Sequence, residues 1–296
     1  MATQTLLDQV STLLDQSGVA QGALAHAPSG VHMLRFSATT GQDASVYRPL
    51  LCLVLRGAKE VGTQAKTLKV ADGQSLLVSH ALPVVSRITE AARDRPYVAL
   101  VLPLDMDLLR ALAPDVTPAL GTSAQDTFSI SLCSTDLEME GALLRYLRQC
   151  EHEDARRLLA PITRREIHAR LLMGSHAEPL QKLLWHETSA SRIFQATRAI
   201  QSDLSRPLTI GDLARQAAMS SSAFFQHFKA VTGTSPLQYQ KELRLLHARD
   251  ALRNSNEKVS DIAFRVGYDS ASQFSREYTR KFGRPPKVDR GRPAAA

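Results

Sequence analysis

Cysteine is scarce in this sequence. Only Cys52, Cys133 and Cys150 occur, and none of them has the close spacing of a metal-binding pair. Disulfide frameworks are typical of small secreted domains, whereas a few scattered cysteines suit a reducing compartment. The sequence therefore predicts no disulfide framework and a cytoplasmic location.

Long apolar runs and catalytic motifs are missing as well. No segment approaches the roughly 20 apolar residues that a membrane-spanning helix needs, and the N-terminus lacks the basic start and apolar core of a secretion signal. His26, His32 and His80 are isolated, and no His-x-His pair occurs. A Gly-x-Ser-x-Gly motif, a phosphate-binding glycine loop and a Cys-x-x-Cys pair are also absent. We therefore expect a protein that is not an enzyme, holds no metal or other cofactor and does not bind membranes.

The positive charge is concentrated in the last third of the chain. Residues 191–296 contain 18 Lys and Arg against 9 Asp and Glu, whereas residues 1–190 contain 18 against 20. A local excess of this kind is typical of a nucleic-acid-binding module. A basic face can also be merely solvated, so charge alone leaves both interpretations open.

Hydrophobic periodicity divides the chain into two regions. Residues 30–103 contain short apolar runs separated by Gly, Asp and Pro, which predicts an antiparallel barrel or sandwich. From about residue 104 the apolar residues recur at helical spacing. The predicted domains are 1–185 and 191–287, joined by a polar stretch at 186–190 that predicts a linker or a helix cap. The basic, Pro-containing tail 288–296 is expected to be disordered.

An internal repeat occupies the second of these domains. Asp212-Leu213-Ala214 recurs as Asp261-Ile262-Ala263, and the aromatic pair Phe224 and Phe228 recurs as Phe274 and Tyr278. Each copy has the parts of a helix-turn-helix unit: small residues on a first helix, a tight turn, and a second helix with Ser or Asp at its start. The aromatic pairs, spaced four residues apart, should pack the second helix against the first.

The exposed N-terminal face of each second helix is the part that enters the major groove. The predicted base-reading residues are Ser222, Phe225 and Gln226 in the first unit, and Ser272, Gln273, Ser275 and Arg276 in the second. Gln can pair with adenine, Arg with guanine and Ser with either, while Phe can contact a thymine methyl. The predicted phosphate contacts are Lys229, Lys241, Arg244, Arg280 and Lys281. For each residue, simple surface exposure is the alternative interpretation.

The segment between the two units predicts one long amphipathic helix from about residue 236 to 254. A rigid connector of this kind would fix the distance between the two recognition helices. Two units on one chain could then occupy successive major-groove faces about 34 Å apart.

Residues 190–287 closely resemble the DNA-binding domain of the AraC/XylS family. The resemblance rests on the pattern FKxxTGxSP from Phe228 to Pro236, on Arg244-Leu245 in the connector, and on GYxSxxxFxRxY from Gly267 to Tyr278. It implies a bacterial transcription regulator, most often an activator that contacts RNA polymerase. The family's base-contacting positions fall on the residues selected above, although Phe225 departs from the polar residue that is common there.

Residues 20–180 resemble the N-terminal domain of AraC-type regulators. The relevant segments are Tyr47–Val54, Gly57–Lys59, Leu82–Val85 and Arg95–Tyr97. The two resemblances together imply an α+β protein: a cupin-like antiparallel β-barrel with dimerisation helices, followed by an all-α domain with two helix-turn-helix units. They also imply a homodimer that binds double-stranded DNA and responds to a small-molecule effector.

Cys52 is the candidate sensor residue, because the resemblance points to a subgroup that responds to aldehydes or other electrophiles. A reactive thiol needs a nearby base or cation, and Arg56 and Lys59 are close in sequence. The alternative is a small buried core residue, which is the usual role of a free cysteine.

Two other functions remain open at the level of sequence. The first is a constitutive DNA-binding regulator whose barrel serves only for dimerisation. The second is a repair enzyme fused to a DNA-binding module, which would need a cluster of thiolates to hold zinc.

Overall fold

The computed structural model describes residues 2–116, 129–184 and 188–290. Its first part contains two β-sheets flanked by helices, and its second part is entirely helical. The fold is therefore α+β, as the sequence predicts.

Ten strands form the two sheets, and every strand pairing is antiparallel. The six-stranded sheet has the order β1-β2-β9-β4-β7-β10, and the four-stranded sheet has the order β3-β8-β5-β6. The strands are β1 Gly22–His26, β2 Val31–Phe36, β3 Asp43–Tyr47, β4 Leu50–Arg56, β5 Ala58–Gly62, β6 Thr67–Ala71, β7 Gln74–Val78, β8 Leu82–Glu90, β9 Tyr97–Pro103 and β10 Ile130–Ser134.

Strand β4 explains how the core is divided. Successive side chains of a strand point to opposite faces of its sheet. Leu51, Leu53 and Leu55 accordingly belong to a core between the six-stranded sheet and the helices, whereas Cys52 and Val54 belong to a second core between the two sheets. Both faces of β4 are therefore buried, which accounts for its uninterrupted apolar sequence.

In the described part of this region, six helices accompany the sheets: α1 Ala2–Gln16, α2 Met106–Leu112, α3 Leu137–Cys150, α4 Glu153–Leu158, α5 Ala160–Met173 and α6 Ala177–Leu184, with a short 3-10 turn at Ala113–Asp115. Helix α1 packs on the six-stranded sheet and on α3. Its apolar stripe of Leu6, Val10, Leu13 and Leu14 is buried there. These helices cover the face of the sheet that does not meet the four-stranded sheet.

The helical domain contains seven helices within the described residues: α7 Ser189–Ser202, α8 Ile210–Gln216, α9 Ser221–Thr232, α10 Pro236–Asn254, α11 Val259–Arg265, α12 Ala271–Phe282 and α13 Pro286–Asp289. Helix α10 is the predicted long connector. In residues 2–116, 129–184 and 188–290, no helix is long and apolar enough to cross a membrane.

The structure bears on two predicted boundaries. Of the two interpretations of the polar stretch, the helix cap applies at Thr188, because its side-chain oxygen accepts a hydrogen bond from the Ser191 N–H and α7 begins at Ser189. Residues 186 and 187 of the predicted linker lie outside the described residues. The predicted disordered tail begins too early, because Asp289 is buried and its carboxylate accepts a 2.8 Å hydrogen bond from Tyr278. Residues 291–296 of that tail lie outside the described part of the chain.

Candidate nucleic-acid interface

The two predicted helix-turn-helix units are present as α8–α9 and α11–α12. Leu213 and Ala214 on α8, and Ile262 and Ala263 on α11, are buried against the second helix of their unit. The turns differ in one respect. The turn residue with a left-handed backbone is Gly267 (φ +93°) in the second unit but Ala218 (φ +50°) in the first. The left-handed conformation costs a residue with a side chain about 1–2 kcal/mol.

The second helices are started and anchored in the same way. Ser220 accepts a hydrogen bond from the Ala223 N–H, and Ser270 accepts one from the Gln273 N–H. The four aromatic side chains of the two repeats are all fully buried, with ring centroids 5.6 Å apart in the first unit and 5.4 Å apart in the second. Their packing turns the opposite face of each helix toward solvent.

The first recognition helix, α9, exposes all its predicted DNA-contacting residues on one stripe. Ser222, Phe225, Gln226 and Lys229 are exposed and follow helical spacing of three and four residues. The Phe225 side chain is 44% exposed, although it is large and apolar. An exposed phenyl ring beside Gln226 suits an apolar contact next to a polar base edge.

The second recognition helix, α12, exposes Ser272, Gln273 and Arg276, while Ser275 is half-buried. Gln273 lies at the edge of this face, because it lines the cleft between α10 and α12 and hydrogen-bonds to Glu277. Ser272, Ser275 and Arg276 therefore form the outward stripe of the second unit, with Gln273 beside them.

The predicted phosphate-contacting residues fall into two groups. Lys229 and Arg280 are exposed. Lys241 instead pairs with Glu277 at 2.9 Å, and Lys281 lies 3.8 Å from Glu242. Burial disfavours the charged form of Glu277. Hydrogen bonds to its carboxylate, of which that from Lys241 has the largest effect, nevertheless hold its pKa below the usual value.

Arg244 has a different role from the predicted phosphate contact. Its Nε donates to the Leu204 carbonyl at 2.7 Å, and Nη2 donates to the carbonyls of Ser205 and Arg206 at 3.3 Å. A Cβ on Gly267 would meet the same guanidinium at 2.7 Å. Arg244 therefore holds the loop after α7 beside the turn of the second unit. It donates hydrogen bonds to three backbone carbonyls of the loop, and its guanidinium lies next to Gly267 of the turn.

A basic cleft beside α12 contains residues that the sequence analysis missed. It has a volume of about 770 Å³, and its lining includes Ser272 and Ser275 together with Lys258, Lys287 and Arg290. Lys258 directly precedes α11, Lys287 lies in α13 and Arg290 directly follows it, so only the fold brings these three residues together. The clustering of cations next to predicted base-reading residues suits a DNA backbone.

The helical domain is docked on the sheets through α10 and the end of α9. The guanidinium of Arg249 pairs with Asp43 on β3 at 2.9 Å. The Tyr239 hydroxyl donates to the Ala81 carbonyl at 2.6 Å, and Thr234 donates to Gln64 at 2.8 Å. These contacts connect the connector helix directly to the first domain.

A polar cleft of about 480 Å³ lies along this junction. Its walls come from β5, β8 and the turn after β5 on one side and from α10 and α12 on the other, and its charged lining residues are Glu60, Arg87, Glu242 and Lys281. Gln64 also lines the cleft and hydrogen-bonds to Glu242. A molecule bound there would contact both domains.

Cys52, the candidate sensor, is fully buried between the two sheets. Its sulfur lies 3.1 Å from Nζ of Lys59, which is itself 5% exposed. Burial disfavours the ammonium form of Lys59, but the sulfur of Cys52 and the oxygens of Tyr47 and Tyr97 reverse this effect and place the pKa of the amine above its ordinary value. Arg56, the other cation near in sequence, is not in this contact.

The three cysteines lie in three different environments. Cys133, on β10, directs its sulfur to the Ser175 carbonyl, and Cys150 is buried in the core beneath the helices. Within the described residues, no three His, Cys, Asp or Glu side chains are grouped as metal ligands. The arrangement of the cysteines does not provide the thiolate cluster that a zinc-dependent repair enzyme would need.

Comparison with known families gives a match in each domain. Residues 27–179 match the model described as AraC-type transcriptional regulator N-terminus, which covers more than half of the chain. Residues 213–292 match a model described as Helix-turn-helix domain. The first match lies within the region that contains the two sheets, and the second begins in α8 of the helical region.

Comparison with individual proteins is consistent with these matches. The chain is 31% identical over 140 residues to the HTH-type transcriptional activator RhaS of Escherichia coli O139:H28, which is 47% of this chain and 50% of that protein. The chain thus spans about half the length of the curated relatives it matches. Among solved structures it is similar in fold to ToxT from Vibrio cholerae strain SCE256 with an unsaturated fatty acid bound (TM-score 0.55, 11% identity, 86% of this chain and 92% of that chain). It is also similar to ToxT from strain O395 bound to a naphthalenyl-butenoic acid (TM-score 0.58, 11% identity, 87% and 96%).

Proposed function

The chain belongs to the AraC-type transcriptional regulators, and we propose that it activates transcription as a homodimer when a small molecule or a reactive electrophile acts on its first domain. It is a DNA-binding regulator, and its relatives are regulators rather than enzymes. The observation that carries the proposal is the presence of two equivalent recognition helices, α9 and α12, on one chain. Each helix buries its aromatic face and exposes the opposite face.

In this proposal, sequence is read by residues of both helices. Gln226 and Arg276 supply the bidentate contacts, to adenine and guanine respectively, and Phe225 contacts a thymine methyl. Ser222, Ser272, Gln273 and Ser275 complete the two reading faces. Lys229 and Arg280 contact phosphates, together with the basic cleft of Lys258, Lys287 and Arg290.

Activation requires a contact with RNA polymerase, and dimerisation requires a surface. The activator role is supported by the likeness to RhaS, which is named as a transcriptional activator.

The homodimer is supported by three exposed apolar residues around the junction of α4 and α5, namely Leu158 (61%), Leu159 (48%) and Ile162 (65%). Exposed apolar clusters of this kind are typical of protein–protein contacts.

The effector is proposed to act at the junction between the domains. The 480 Å³ cleft there is lined by residues of β5 and α10, so a bound molecule can distinguish two arrangements of the domains. A ligand shifts such an equilibrium only through a difference in its affinity for the two arrangements. The ToxT structures with bound acids are those of a similarly folded protein.

The test is transcription in a purified system. Full-length protein, RNA polymerase and the promoter DNA next to its gene are combined with a panel of aldehydes, oxidants and small neutral or acidic metabolites. We expect protein-dependent transcription and a footprint on the promoter, with one class of compound increasing the transcript. A footprint with unchanged transcript across the panel would instead indicate a constitutive regulator.

A further inference from the structure

The space between the two sheets contains two nucleophilic groups that DNA recognition does not use. The sulfur of Cys52 on β4 and the amine of Lys59 on β5 lie 3.1 Å apart. Their strands belong to different sheets and are joined by the tight turn at Gly57 (φ +84°). The alternation of β4 and β5 directs both side chains into the same core.

This environment is unusual for a lysine. The Lys59 side chain is buried, and no carboxylate pairs with its amine in the part of the chain that the structure describes. The other polar groups near it are aromatic: the Tyr47 ring, whose centroid is 5.4 Å from Nζ, and the buried Tyr97 hydroxyl, which has no hydrogen-bond partner. Burying an amine in this way is costly, so the pair is not explained by packing alone.

The amine is also the nucleophile that lies nearest to the sulfur. A redox-active cysteine is usually resolved by a second cysteine, which forms a disulfide with the first oxidation product. Cys133, on the edge strand β10, donates to the Ser175 carbonyl, and Cys150 lies in the other core. The position of a resolving cysteine is therefore taken by Lys59.

We propose that Cys52 and Lys59 form an oxidative modification site, at which hydrogen peroxide converts the pair into a covalent sulfur–nitrogen bond. The inference rests on the proposed function only for its effect on transcription, because the bond itself can be measured on the protein alone.

The chemistry proceeds in two balanced steps. The thiolate attacks one peroxide oxygen, the O–O bond breaks, and the departing hydroxide takes a proton from the Lys59 ammonium; the products are a sulfenic acid, a neutral amine and water. The amine then attacks the sulfenic sulfur and displaces its oxygen as a second water, leaving a sulfenamide. Sulfenic acids are known to condense with nitrogen in this way. The sulfur is oxidised, the peroxide is reduced, and the protein loses two hydrogens in total.

The position of the sulfur–nitrogen bond allows its formation to affect the helical domain. A link between β4 and β5 would join the two sheets at the start of β5. The turn that follows β5 carries Gln64, which accepts a hydrogen bond from Thr234 and donates one to Glu242 of the helical domain. A change in the position of β5 is thereby passed to α10 through a single turn.

The test is mass spectrometry of the full-length protein after treatment with hydrogen peroxide, alkylation of the remaining thiols and digestion with trypsin. We expect peptides 36–56 and 57–66 to appear joined, with a mass two hydrogens below the sum of the two, and to separate after treatment with dithiothreitol. Trypsin does not cleave after a modified lysine, which is why the second peptide extends to Lys66.

Variants separate the proposal from general oxidation. Lys59→Arg keeps the positive charge but should prevent the link and leave Cys52 as a sulfinic or sulfonic acid, whereas Cys133→Ser should still form it. Circular dichroism before treatment verifies that each variant is folded. Wild-type protein with Cys52 unmodified, with Cys52 overoxidised and Lys59 free, or with an extra oxygen between sulfur and nitrogen would overturn the proposal.

The same samples distinguish the two proposals. A promoter that responds to peroxide without any link would contradict the modification site and leave the proposed function intact. A link in a protein that binds no promoter DNA would contradict the proposed function and leave the modification site intact.

Discussion

The guanidinium of Arg249 on α10 lies 2.9 Å from the carboxylate of Asp43 on β3, and both side chains are largely buried. Arg249 also donates to the Ala44 carbonyl, and its guanidinium stacks on the Phe282 ring at 4.6 Å. This arginine of the connector helix therefore contacts both the first domain and the end of the second recognition helix. Burial raises the pKa of Asp43 against the effect of Arg249, so desolvation is a real cost of this contact.

Removing Asp43 should strongly destabilise the docked arrangement. Asp43→Ala leaves the Arg249 charge buried without its partner, and such a loss costs about 3–5 kcal/mol. The measurement is the free energy of unfolding in urea. The matched control is Glu60→Ala, which breaks the exposed Arg87–Glu60 pair and should cost less than about 1 kcal/mol. Equal, small losses in both variants would show that the domain junction does not depend on Arg249.

The turns of the two units should respond differently to exchanges between glycine and alanine. In Gly267→Ala the new Cβ would lie 2.7 Å from the Ser205 Cα and from Arg244, at φ +93°. We expect a loss of about 3 kcal/mol from this clash and the backbone strain. Ala218→Gly relieves strain at φ +50° but gives the unfolded chain more freedom, so its effect should stay within about 1 kcal/mol. Thermal unfolding of both variants tests this, and a tolerated Gly267→Ala would contradict the described packing of Arg244.

Arg276→Ala should weaken binding to the specific site by about 1–3 kcal/mol and relax the sequence preference at one position. The physical reason is the loss of one bidentate contact to guanine. Fluorescence titration with specific and unrelated DNA at fixed salt gives both values. Arg145→Ala, on the exposed surface of α3, is the control and should bind like wild type. An equal loss on both DNAs would assign Arg276 to phosphate instead.

Stability should fall in mild acid because of buried histidines. His80 hydrogen-bonds to Ser129 at 2.7 Å, and burial lowers its pKa from 6.5 to about 4. The unfolded chain binds a proton below pH 6.5 while the folded chain does not until about pH 4, so the unfolded state gains protons first. The free energy of unfolding should therefore decrease as the pH falls through this window, by at most about 1.4 kcal/mol per pH unit for each such group.

The variant His80→Gln tests this assignment. Its unfolding free energy should depend less steeply on pH between these limits than that of the wild type, whatever its stability at neutral pH. His32→Gln, which replaces an exposed histidine, should keep the wild-type slope. Identical slopes for His80→Gln and wild type would mean that the pKa of His80 is the same in the folded and unfolded states, which would contradict the effect of its burial.

Local sequence patterns were sufficient for the two recognition helices. The spacing of Phe224 and Phe228, and of Phe274 and Tyr278, determines which face is buried, and the exposed residues follow from it. The role of Arg244 could not be predicted in this way, because its acceptors, the carbonyls of residues 204–206, are about forty positions away.

The same limit applies to the first domain. The apolar runs of β2, β4, β7, β8 and β9 indicated strands, but β1 and β10 were missed because they lie outside residues 30–103, where those runs occur. The contact of Cys52 with Lys59 depends on which faces of β4 and β5 meet, and the docking of α10 depends on a pairing between residues 43 and 249. Proximity in sequence suggested Arg56 and Lys59 equally, and only the packing of the sheets selects Lys59.

The most direct test of the central claim, that one chain reads DNA with two recognition helices, is selection of binding sites from random double-stranded DNA by the purified protein. We expect each chain of the proposed homodimer to select two short motifs whose centres lie about one helical turn, or 10 base pairs, apart, so that the full site contains this pair twice. Gln226→Ala should change the preference in one motif only, and Arg276→Ala in the other only. Selection of no sequence, or of a single motif that both substitutions alter, would contradict this account.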